Sequence, residues 1–194
     1  MVVFLERHAI VEELQAPMEV RTSLVQILET PRLKLIPFTL ELKKATLSQR
    51  ARLTEMLRVE IPDAWPGADL LEALPFFLQA LEKDPPGLVW DGIILHKAEQ
   101  IAIGGMGFHG GPDEAGVVEI GYNIIPAYEG QGYATEMARR VIDWAFQTPG
   151  IRVITAECLD DNLGSIRVLE KVGMRRLAPE GNLLKWELQK ETVA

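Results

Sequence analysis

At 194 residues the chain suits one ordinary domain with a real hydrophobic core and leaves no room for a second of similar size. Hydrophobic residues at 47% and charged ones at 25% exclude a disordered or fibrous chain, and a net charge of −8 argues against general nucleic-acid binding. Cys158 is the only cysteine, no segment has the length of a membrane span, and the MVVFL start is broken at once by Glu6, Arg7 and His8, so a cytoplasmic protein is expected.

Residues 1–29 carry two mixed apolar and charged stretches separated by Pro17, ahead of a single domain expected over 30–190. Two readings stand for them: a strand and helix packed on the domain or on a second subunit of a homodimer, or a loosely held extension. TPRLKLIPFT, from Thr30, alternates Leu33 and Leu35 with polar residues and reads as the first strand. Residues 40–58 read as a helix with Leu42, Ala45, Leu53 and Leu57 among charged neighbours. Two prolines then bracket Trp65, and Leu70, Leu74, Phe77, Leu78 and Leu81 define a second helix that Pro75 should break or restart.

Strand-like runs at Gly87–His96 and Gln100–Phe108 are joined by KAEQ as a hairpin turn, and HGGPDEAG returns the chain into Gly116–Ile125. From Ala134 a helix pattern places Met137, Ala138, Val141, Ile142 and Ala145 on one face, ending at Thr148, Pro149 and Gly150. IRVITAECL reads as a central strand, Ile166, Leu169 and Val172 mark a helix closed by Gly173, and short strands follow near 174–178 and 183–188. The order is that of an α+β domain with seven strands and four helices.

The chemistry concentrates in EGQGYA, Glu129 to Ala134, between a strand and a helix. Gly130 and Gly132 let backbone N–H groups turn inward, and the helix start adds unpaired amides and a positive dipole end, a cradle that fits a pyrophosphate. A P-loop would need Lys and Ser/Thr after the last glycine, where Tyr133, Ala134 and Thr135 stand, and a dinucleotide fingerprint would need a third spaced glycine.

Gly132 and Ala134 match the acyl-CoA pyrophosphate loop of the GNAT superfamily of N-acetyltransferases, and the wider IGYNIIPAYEGQGYATE and DNLGSIRVLEKVGM blocks resemble the two signatures of its ribosomal-protein-alanine acetyltransferase (RimJ/RimL-like) branch. The likeness spans roughly residues 30–188, with Glu129 where that family usually has Arg or Gln. The resemblance implies a GNAT fold: a central, mixed but mostly antiparallel sheet splayed between its fourth and fifth strands. It implies acetyl-CoA as cosubstrate, no metal, and direct transfer of acetyl to a primary amine, on a small molecule or a peptide N-terminus. A noncatalytic acyl-CoA sensor that kept the fold is the alternative.

Within that resemblance, the amides of Gly130, Gln131, Gly132, Tyr133, Ala134 and Thr135 would hold the pyrophosphate. Asn123, Ile124 and Ile125 would offer main-chain bonds to the pantetheine, and Asn162 would contact the cofactor arm. Glu119 is the candidate base, Ser165 the candidate proton donor to the sulfur, and Tyr122 and Tyr133 are the substitutes for it. Asn162 and Ser165 equally suit a helix cap. Trp65 shapes the acceptor pocket or anchors its loop, and His109 lines the substrate mouth or sits on the surface.

Overall fold

The computed structural model describes residues 26–83 and 90–191. Residues 1–25, and with them most of the expected extension, lie outside the described part, as do 87–89 at the expected start of one strand.

Among the described residues, eight strands form one sheet: β1 Leu28–Glu29, β2 Leu33–Pro37, β3 Asp91–His96, β4 Ile101–Phe108, β5 Val117–Ile124, β6 Val153–Leu159, β7 Arg175–Arg176 and β8 Leu183–Gln189. Their spatial order is β1-β2-β3-β4-β5-β6-β8-β7. Every pairing is antiparallel except β5 with β6. That parallel step needs a crossover, which α4, Tyr133–Gln147, supplies. The extra strand is β1, at the end of the segment expected to precede the domain, where fully buried Leu28 joins the core.

The expected helix over 40–58 is two helices, α1 Leu40–Ser48 and α2 Arg50–Leu57, broken at Gln49 where φ −148° and ψ 65° leave the helical region. Thr39 caps α1 by accepting from the Leu42 N–H. Conversely, α3 runs Ala68–Lys83 straight through Pro75. Proline there forfeits one backbone bond, and the burial of Leu70 and Leu74 on the inner face holds the helix continuous against that loss.

The sheet separates two cores. Met137, Ala138, Val141, Ile142 and Ala145 of α4, with Leu169 of α5 (Leu163–Lys171), pack on one face against Ile94, Met106, Ile120 and Ile154. Helices α1 to α3 cover the other, with Leu42, Leu53, Trp65 and Leu74 against Ile93, Leu95 and Ala102. Period-two alternation divides the strand residues between the two cores, except that β4 changes parity between Ile103 and Met106, where its register with β3 shifts.

The feature that positions the site is a gap. Strand β5 pairs with β4 from Ile120 to Ile124, but with β6 only through Val117, Val118 and Glu119. Beyond Glu119 the two parallel strands no longer pair, which is the splay the resemblance implies.

Candidate active site

Past the end of β5 a short 3-10 turn, Pro126–Tyr128, leads into the glycine loop. Gly132 takes φ +82°, a left-handed conformation that glycine adopts without a Cβ penalty, and as N-cap of α4 it offers no side chain to the first helical turn. Among the described residues, the N–H groups of Gly130, Gln131, Gly132, Tyr133, Ala134 and Thr135 therefore find no acceptor. Six N–H groups without a backbone acceptor thus lie at or just before the positive end of a fifteen-residue helix, where negative charge is favoured. Glu129 is exposed, and its own N–H is spent on Pro126 O, so it adds nothing to the cradle.

Arg32, from the turn between β1 and β2, braces this loop from behind. Both terminal nitrogens donate to Gln131 O at 3.2 Å, the guanidinium carbon lies 4.3 Å over the Tyr133 ring, and Nε donates to Glu136 Oε2 at 2.6 Å. The Thr30 hydroxyl donates to Glu136 Oε1 at 2.6 Å. Burial alone would raise the Glu136 carboxyl, but the bonds from Thr30 and Arg32 prevail and hold it below the usual range, so the acid in the first turn of α4 is neutralised away from the cradle. Tyr133 is tied down too, its hydroxyl 3.2 Å from His96 Nε2 and donating to Gln131 Oε1 at 3.3 Å, which places it beneath the loop, as a support for it.

Ladder parity decides which strand residues face the gap. Ile125 N–H donates to Ile103 O at 2.8 Å and His109 N–H to Glu119 O at 3.0 Å, so the odd-numbered residues of this run spend their main-chain groups on β4. Of Asn123, Ile124 and Ile125, only Ile124 turns its backbone to the gap, and Tyr122 joins it there. The Asn123 amide instead donates to Pro66 O at 2.5 Å. Across the gap, Asn162 caps α5, accepting from Ser165 N–H at 3.0 Å, and Ser165 is buried beside Tyr122, whose hydroxyl donates to Ser165 O at 3.3 Å. Burial pushes the Tyr122 phenol far above its ordinary value, and its hydrogen is committed to the Ser165 carbonyl.

On the opposite face, Glu119 and His109 meet. Their side chains are 30% and 27% exposed, with His109 Nδ1 3.2 Å from Glu119 Oε1. One strand further, Asp91 holds Lys43 of α1 at 2.6 and 2.8 Å, and Lys43 also donates to Phe38 O. Glycines 107 and 121, paired directly across β4 and β5, floor the space between these groups. Trp65 is 1% exposed, packs edge-on against Phe38 at 6.1 Å and donates from Nε1 to Gly104 O at 3.1 Å. It anchors the loop rather than lining the pocket, and what it anchors is Pro66, whose carbonyl takes the Asn123 amide.

The brace from Arg32, the Lys43 and Asp91 pair and the partnership of His109 with Glu119 are absent from the expectations drawn from sequence. The first two join residues 104 and 48 positions apart, beyond any local signal. The third was available in principle, because a hairpin centred on the HGGPDEAG turn pairs positions 109 and 119. Among the described residues no three of His, Cys, Asp and Glu gather as a metal site requires, and no helix is long and apolar enough to cross a membrane.

Residues 32–175 match the acetyltransferase (GNAT) domain family. A Bacillus subtilis protein described as the uncharacterized N-acetyltransferase YjdG is 38% identical over 148 residues, covering 76% of this chain and 88% of that one. A GNAT-family acetyltransferase structure from Bacillus anthracis aligns at a TM-score of 0.58 with 23% identity, over 86% of this chain and 100% of the other. RimL, a ribosomal L7/L12 alpha-N-protein acetyltransferase solved with coenzyme A, aligns at 0.59 with 16% identity, over 84% and 98%. The chain belongs to the GNAT family and is an N-acetyltransferase.

Proposed function

We propose that the protein transfers the acetyl group of acetyl-CoA to a primary amine by direct attack in a ternary complex. The observation that carries this reading is the run of unbonded N–H groups from Gly130 to Thr135, set beside a gap in the sheet whose far face holds the Glu119 and His109 pair. A diphosphate at the cradle would direct the pantetheine along the exposed edge of Tyr122 and Ile124, as an added strand. Its thioester would then enter the opening, reachable by an amine from the opposite face.

The reaction forms the N–C bond and breaks the C–S bond. The proton leaving nitrogen goes to the Glu119 and His109 pair, and the departing thiolate takes one from the Ser165 side, where a hydroxyl hydrogen bond to sulfur suffices. The acceptor is an amine-bearing small molecule or a peptide N-terminus, and the alpha-N-protein acetyltransferase description of RimL, solved with coenzyme A, supports the latter class. The buried, unpaired Cys158 suits a reducing, cytoplasmic setting.

The test is free-thiol release from acetyl-CoA across a panel of peptide N-termini and small amines, with coenzyme A binding measured in parallel by calorimetry. Amine-dependent release is expected. Binding without release for every amine would favour the sensor reading, and no binding at millimolar coenzyme A would remove the acetyl-transfer reading altogether.

A further inference from the structure

Residues Glu119 and His109 sit opposite each other on β5 and on the extension of β4, joined by a backbone bond of 3.0 Å and by the 3.2 Å approach of Nδ1 to Oε1. A carboxylate accepts hydrogen bonds, so a neutral imidazole that donates to Glu119 does so from Nδ1, and its basic nitrogen is then Nε2. Where Nε2 lies is set by Gly121. A Cβ built there would stand 2.7 Å from Nε2, closer than real Cβ contacts allow, so the ring occupies the space that any other residue at 121 would fill.

That position matters because of the gap. Glu119 is the last β5 residue paired with β6, opposite Thr155, at the closed end of the splay. Gly121 is the next residue on the same face, where the strands have already parted. The imidazole thus carries a basic atom from the closed end to the open stretch where a thioester would meet an amine. Among the described residues, the charged groups near it include Glu119 on β5 and Asp91 on β3, with Lys43 of α1 paired to Asp91 behind.

We propose that His109 Nε2 is the atom that takes the amine proton, and that Glu119 is a positioning residue that fixes the imidazole tautomer and stabilises the imidazolium. This rests on the acetyl-transfer reading and deepens it. As the amine nitrogen bonds to the carbonyl carbon, its proton passes to Nε2. The tetrahedral adduct collapses with loss of the C–S bond, the thiolate is protonated, and the imidazolium returns its proton to solvent.

The test compares His109→Gln with Glu119→Gln in thiol release at saturating acetyl-CoA. His109→Gln should lose roughly 10²–10⁴-fold in kcat with the KM for acetyl-CoA unmoved. Glu119→Gln should lose about tenfold, because the glutamine carbonyl still accepts from Nδ1 and holds the same tautomer. His109→Ala should regain rate on addition of imidazole, which a merely structural histidine would not allow. A larger loss in Glu119→Gln than in His109→Gln, with no imidazole rescue, would make the carboxylate the base and overturn the proposal. Independently of turnover, ¹⁵N NMR of the histidines, with His109 assigned by its substitution, should show the neutral ring protonated on Nδ1. A ring protonated on Nε2 overturns the proposal even if wild type acetylates amines. Failure of every amine to elicit thiol would instead defeat acetyl transfer, and with it the base, while the ring's tautomer would still be read.

Discussion

The two faces of the sheet build their halves of the site from different materials. On the α4 and α5 side the grip is main chain, a run of N–H groups from Gly130 to Thr135 shaped by two glycines and a helix start. On the α1 to α3 side the contacts are made by side chains: His109 with Glu119, Lys43 with Asp91, and the Asn123 amide with the Pro66 carbonyl. A main-chain site tolerates replacement of its side chains, so an acidic Glu129 is compatible with the proposed phosphate loop. A side-chain site has no such reserve, so single substitutions there should do the greater damage.

The largest effect is expected at Lys43. Its side chain is 2% exposed while that of Asp91 is 28%, and burial pushes the ammonium down and the carboxyl up while each charge opposes the shift in the other. Lys43→Met leaves Asp91 and the Phe38 carbonyl without their donor and should cost about 3 kcal/mol in urea unfolding, the low end for a broken buried pair because Asp91 still reaches solvent. Adding Asp91→Asn should recover most of that loss, because the stranded charge is gone. Coenzyme A affinity should stay unchanged in both. A cost under about 1 kcal/mol would mean the acceptor face does not depend on its charge pairs.

A smaller effect is expected on the other face, at the arginine that braces the cradle. Arg32→Ala frees Gln131 O and Glu136 together. Coenzyme A should bind about tenfold more weakly by calorimetry, roughly 1.4 kcal/mol, with kcat at saturation unmoved. Arg32→Lys should restore only part, because an ammonium cannot reach Gln131 O with two donors while bonding Glu136. Equal affinity in Arg32→Ala would show that the glycines alone set the loop.

The same division explains what the sequence discloses. The cradle is contiguous, so EGQGYA, a strand before it and an amphipathic helix after it suffice to find it, and the glycine conformations are local properties. Residues 123, 162 and 165 are visible as candidates through their blocks, and Glu119 through its place on the strand just before the first block, but their partners are not. Whether Asn123 works through its backbone or its amide depends on strand parity with β4, and whether Trp65 faces a pocket or a core depends on Phe38 and Gly104, distant in the chain. The break at Gln49 and the continuity at Pro75 are likewise decisions of tertiary packing, where burial outweighs a local preference.

The sharpest test of main-chain gripping is Glu129→Arg, because it puts at this place one of the two residues, Arg or Gln, that the family resemblance implies, without touching a single backbone donor. If the amides carry the hold, the change acts only through an exposed charge on a diphosphate already bound. It should tighten coenzyme A about twofold to fivefold at low ionic strength. The gain should fade by about 0.5 M salt, where the screening length falls to roughly 4 Å. A gain of a hundredfold, or one that survives high salt, would mean that the side chain at 129 makes a direct bond to phosphate. The two faces would then be built alike, and the present Glu129 would mark a weakened cofactor site instead of an indifferent position.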